Sequence, residues 1–129
     1  MSKTFIVDCN RWANSALNNG VPKLLNNRGN MCCLGFCLRQ CGINESSLFG
    51  KNYPSSGPRR YSNNLRPFVR SDSQDTKLSN DAAAINDDST LSLFQKIKAL
   101  KTLFKSKGYA IKFINVPEVD VNHAESGNI

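Results

Sequence analysis

The chain reads as an α+β protein: a single small domain with about three helices, a small antiparallel sheet and a long basic loop. Three observations predict this class. Apolar residues recur at helical spacing over residues 5–19, 32–41 and 89–107. An alternating run at 109–116 follows the last of these and reads as a strand. Residues 44–81 have little periodicity and are interrupted by Gly50, Pro54, Gly57, Pro58 and Pro67. A length of 129 residues suits one domain with a modest core. That domain is expected over residues 1–116, followed by an acidic tail over 117–129 that frays.

In the first segment Phe5, Cys9, Trp12 and Ala16 share one helical face, with Ala13 and Leu17 beside them, and Gly20 and Pro22 supply the stop. Trp12, the single tryptophan, reads as a core anchor, with ligand stacking as its alternative role. Lys23, Leu24 and Leu25 suggest a brief strand before the turn-forming run 26–30. Next come Cys32 and Cys33, with Cys33, Cys37 and Cys41 at i, i+4 and i+8 and Leu34 and Leu38 in a parallel stripe. Buried cysteine behaves as a small hydrophobe, so this is a core helix in which Gly35 marks a close approach to another element.

The third helix has acidic and capping residues at its entrance, in the run Asn86, Asp87, Asp88, Ser89 and Thr90. Leu93, Ile97, Leu100 and Phe104 form its buried stripe, and Gly108 with Tyr109 suits a Schellman-type end. Lys96, Lys98, Lys101, Lys105 and Lys107 flank that stripe. Such lysines bury their stems at the rim of a core, and a helix that meets a membrane surface or a partner's groove has the same pattern. The expected core is Trp12, Cys33, Leu34, Cys37, Leu38, Leu93, Ile97, Leu100 and Phe104.

The formal charge of +7 favours anionic partners, or serves solubility alone. All 17 lysines and arginines precede Phe113, whereas Glu118, Asp120 and Glu125 follow it. The long loop mixes Arg59, Arg60, Arg66 and Arg70 with Tyr61 and Phe68. Guanidinium groups bind phosphate and rings stack on bases, so these six residues are the candidate ligand site. No apolar run approaches the length of a membrane span, and an acidic residue as early as Asp8 argues against a signal peptide. The expected location is the cytoplasm, where five cysteines read as free thiols.

Catalytic patterns are sparse. The one histidine, His123, lies in the expected tail, and neither a glycine-rich phosphate loop nor a metal-binding histidine pair is present. Cys32, Cys33, Cys37 and Cys41 are the alternative metal ligands, although thiols along one helix do not converge tetrahedrally without a second element. The expectation is a non-enzymatic protein without a cofactor.

Trp12, Leu17, Gly20, the run Cys32-Cys33-Leu34-Gly35-Phe36, then Leu65-Arg66-Pro67-Phe68-Val69 and Ala84-Ile85-Asn86-Asp87 with Phe94 and Ile97 together resemble a family of small tailed-bacteriophage proteins. That family has a Trp, then Cys-Cys-Leu-Gly-Val, then Leu-Asn-Asp. Phe36 departs from its small aliphatic residue. The resemblance covers residues 5 to about 100 and implies a phage or prophage origin, with no chemistry to carry over. Together with the charge it suggests a counter-defence protein acting in the host bacterial cytoplasm. Its partner is expected to be an anionic ligand such as a nucleotide immune signal; the alternative is an inhibitor that binds a host defence or nucleic-acid-processing protein, or a direct nucleic-acid binder. A thiol- or zinc-dependent role is a further alternative, and a homo-oligomer is compatible with the sequence.

Overall fold

The structure is a computed structural model that describes residues 4–17, 19–20, 22–42, 44–50 and 77–121. The chain opens with a strand, β1 (Thr4–Asp8), in which Phe5 and Val7 point inward and Thr4 and Ile6 outward. Its partner is β2 (Ala110–Ile114), near the other end of the described chain, with Phe5 opposite Ile111 and Val7 opposite Phe113. The pair is parallel, which corrects the expected antiparallel sheet. Helices lie between the two strands in sequence and supply the long crossover that a parallel pair requires.

A helix over residues 5–19 is likewise not formed. Phe5, Cys9, Trp12, Ala13 and Ala16 are all buried, but from a strand and an irregular segment rather than from one helical face. Asparagines explain the difference, because their side chains compete for backbone groups that a helix would use. The Asn14 carboxamide oxygen accepts from the backbone N–H groups of Ala16 (2.7 Å) and Leu17 (3.0 Å). Asn19 donates to the Trp12 carbonyl at 3.0 Å, while Asn26 and Asn30 each donate to the Asn19 carbonyl at 3.0 Å. The segment then pairs back on itself: Ala13 N–H donates to the Met31 carbonyl and Met31 N–H to that of Arg11. Leu25 makes an isolated bridge to Phe49, without a longer strand.

Helix α1 (Cys33–Gln40) follows, with Cys33, Leu34, Phe36, Cys37 and Leu38 all buried. Gly35 faces the Leu24 carbonyl oxygen so closely that a Cβ atom would collide with it, which confirms the close approach inferred for this glycine. A single turn, α2 (Glu45–Leu48), and an 11-residue helix, α3 (Lys77–Asp87), lie at the two ends of the region expected as one long loop. The third expected helix is α4 (Leu93–Ser106), which starts later than the run Asn86 to Thr90 suggested. Ser92 is its N-cap in a reciprocal capping box with Gln95. Asp88 instead binds the backbone and hydroxyl of Thr90, closing the turn between α3 and α4.

The end of α4 forms as expected. Gly108 has a φ of 85°, Gly108 N–H donates to the Lys105 carbonyl and Tyr109 N–H to that of Phe104, a Schellman arrangement. Helix α1 packs on β1 and α4 on β2, and α3 packs on both helices. Phe5 meets Phe104 edge-on at 6.0 Å and Trp12 lies 5.1 Å from Phe113 between ring centres. The expected core residues are buried except Ile97, which is half-buried. Beyond β2, the Asp120 carboxylate accepts from Phe94 N–H and the Ser92 hydroxyl, and Val121 packs on the core. No helix among the described residues is long and apolar enough to cross a membrane.

Candidate functional site: a lysine-edged groove beside the sheet

Asn86 ends α3 with its side chain in the interior, 1% exposed. Its carboxamide oxygen accepts from the Trp12 indole N–H at 2.6 Å and from the Cys33 backbone N–H at 3.0 Å. Its nitrogen donates to the Ala13 carbonyl at 3.0 Å and to the Asp87 carboxylate at 2.9 Å. One residue thus caps α1, anchors Trp12 and ties down the first irregular segment. Trp12, Cys33 and Asn86, three of the residues that carry the family resemblance, meet here.

Lys96 stands beside this point and is 0% exposed. Its ammonium donates to the carbonyls of Ile85 (2.8 Å), Asn86 (3.0 Å) and Asp88 (2.7 Å), using all three protons at the negative end of α3. Desolvation holds its pKa down to about 8, opposed by the nearby Asp88 and Asp87 carboxylates. Lys96 was grouped with the rim lysines in the sequence, but it lies on the buried stripe between Leu93 and Leu100. Its spacing from those two leucines was the available signal.

The thiols are insulated. Burial pushes Cys9 up to about 11 and Cys32 up to about 12, and raises Cys33 well above the ordinary thiol value. Cys32 precedes α1, where backbone N–H groups favour a thiolate, yet desolvation outweighs them. Cys37 is buried and Cys41 half-buried. Among the described residues, no three His, Cys, Asp or Glu side chains are grouped to hold a metal ion.

An accessible feature among the described residues is a groove between α4 and β2. One end encloses ≈ 490 Å³ and is lined by Phe94, Ile97, Phe113 and Val116, with Lys98 and Lys101 on its edge. The other end encloses ≈ 470 Å³ between Lys101 and Lys105 on the helix and the stretch from Gly108 to Ile111. Phe94 and Val116 are 39% and 40% exposed, a high value for large apolar side chains on one surface. Lys98, Lys101, Lys105 and Lys112 form no ion pair with a described residue. The groove is apolar at the start of α4 and cationic toward its end.

Arg59, Arg60, Tyr61, Arg66, Phe68 and Arg70, the ligand site expected from the sequence, all lie outside the described residues. His123 lies outside them as well.

No family model, curated protein or solved structure matches the chain.

Part of the groove was legible in the sequence, since the pattern of α4 left open a partner-binding role for the lysines that flank its stripe. The contribution of β2 was not, because nothing local to residues 109–116 indicates which edge of the strand is paired.

Proposed function

We propose that this chain is a non-enzymatic counter-defence protein of phage or prophage origin, acting in the host bacterial cytoplasm by binding an anionic partner. The observation that supports binding is the row Lys98, Lys101 and Lys105 along an apolar groove, none of them ion-paired with a described acidic side chain. Lysines that served solubility alone would need no exposed Phe94 and Val116 beside them. The phage origin rests on the resemblance carried by Trp12, Cys33, Gly35 and Asn86. The deeply buried, protonated thiols of Cys32 and Cys33 weigh against a nucleophilic or zinc-binding role for them.

Two kinds of anionic partner remain in view. A nucleotide signal would use the arginine-rich stretch from Arg59 to Arg70, with Tyr61 or Phe68 stacking. A host defence protein with an acidic surface would use the groove, whose open, elongated form and apolar end suit a polypeptide better than a compact phosphate. The second reading is favoured. Native and denaturing mass spectrometry of protein purified from bacterial cells separates them. The expected result is a chain free of small ligands. A nucleotide released on denaturation and lost in Arg59→Ala with Arg60→Ala would instead establish the sequestering version.

A further inference from the structure

The two edges of the sheet are treated differently. On the outer edge of β1, the Gln40 side chain takes the place of a neighbouring strand: its nitrogen donates to the Ile6 carbonyl at 2.6 Å and its oxygen accepts from Ile6 N–H at 2.7 Å. On β2, the parallel register and the Cys9 N–H bond to the Ile114 carbonyl direct the backbones of Ala110, Lys112 and Ile114 toward β1. Those of Ile111 and Phe113 therefore face away from it, and neither has a hydrogen-bond partner among the described residues. An unpaired edge normally carries a protecting charge, bulge or proline, and β2 has one such charge, the exposed Lys112. Here the edge opens into the groove, with Lys98, Lys101 and Lys105 along the far wall.

We propose that an extended, acidic segment of a partner protein docks in this groove by adding a strand to the free edge of β2. This deepens the protein-binding reading above and rests on it. The Ile111 and Phe113 backbones bond the incoming chain. Side chains of that chain directed at α4 are apolar at the end formed by Phe94, Ile97, Phe113 and Val116, and carboxylates where they meet Lys101 and Lys105. Main-chain bonds supply affinity in such additions, while alternate side chains supply selectivity. Charge decides the occupant. Residues 51–76 of the chain itself carry Lys51, Arg59, Arg60, Arg66 and Arg70 against Asp72 and Asp75, so their net charge repels the lysine wall, and residues 122–129 offer a single carboxylate side chain, Glu125, against three lysines.

The test uses the full chain and a synthetic ten-residue peptide with valines in one half and glutamates in the other, so that both faces of the strand change from apolar to acidic along its length, with a lysine-for-glutamate version as control. Binding is followed by fluorescence anisotropy, and hydrogen exchange of the Ile111 and Phe113 amides is followed by NMR. The expected result is binding of the acidic peptide only, with slowed exchange at those two amides. Lys98→Glu, Lys101→Glu and Lys105→Glu combined should weaken it by about tenfold or more, since three attractive contacts become repulsive. These residues are exposed, so the variant should keep its fold, checked by an unchanged unfolding midpoint.

Three outcomes overturn the proposal. Binding that leaves both amides exchanging as before makes the contact one of charge alone. Protection of both amides in the free protein assigns the edge to the chain's own residues. Failure of both peptides to bind removes strand addition as a mode of recognition. None of these touches the counter-defence reading, which is judged by phage growth rather than by peptide binding.

Discussion

Replacing Asn86 with alanine leaves the Trp12 indole N–H and the Cys33 backbone N–H buried without an acceptor. Each such orphan costs roughly 1–3 kcal/mol, so Asn86→Ala should lose about 2–5 kcal/mol in urea unfolding. Ionisable groups in the interior set a second, pH-dependent expectation. Lys96 is held near 8 rather than 10.5, so between those values the unfolded chain binds more protons and stability rises with pH. Cys9, Cys32 and Cys33 do the opposite. Their folded values lie above the ordinary 9.0, so the folded chain keeps protons that the unfolded chain releases, and stability falls from about pH 9 upward. Three thiols outweigh one ammonium. Urea midpoints should climb from pH 8 to 9 and fall above it, and Lys96→Met should abolish the climb while keeping the fall. At this scale the sequence was a good guide to burial. Trp12, Cys33 and Cys37 were expected inside and are inside. The pairing of Trp12 with Asn86 was not legible, because a hydrogen bond spanning 74 positions leaves no local pattern.

Among the elements, α1 depends on a glycine and α4 on its cap. Gly35→Ala sets a methyl group against the Leu24 carbonyl, part of a backbone that cannot swing aside, and should cost about 3 kcal/mol. Ser92→Ala removes half of a capping box and should cost about 1 kcal/mol, seen as a lower unfolding midpoint. The helices that were legible, α1 and α4, carry long apolar stripes. Phe5 to Ala16 misled because a strand and an asparagine-held loop buried residues that happened to fall at helical intervals. The β-branched and aromatic run Thr4, Phe5, Ile6 and Val7 was the competing signal. Helix α3 has a weaker stripe and no charged residue favouring either end of its dipole, which hid it inside a region read as loop.

For the whole molecule, the parallel direction of the sheet is permitted by its strands lying near opposite ends of the described chain, with helices between them to make the crossover. No short-range feature of either strand encodes that direction. The excess of basic residues was legible from composition, but the placement of Lys98, Lys101 and Lys105 beside an apolar hollow required α4 and β2 together. The central claim is that this surface carries the biological activity. It is tested most directly by plating a phage on bacterial hosts that carry individual defence systems, with the wild-type chain or the Lys98→Glu, Lys101→Glu, Lys105→Glu variant expressed at equal level. The wild-type chain should restore plaques on at least one protected host, and the variant should not. Equal restoration by both would place the activity elsewhere on the molecule, and restoration by neither, across the panel, would contradict the counter-defence reading itself.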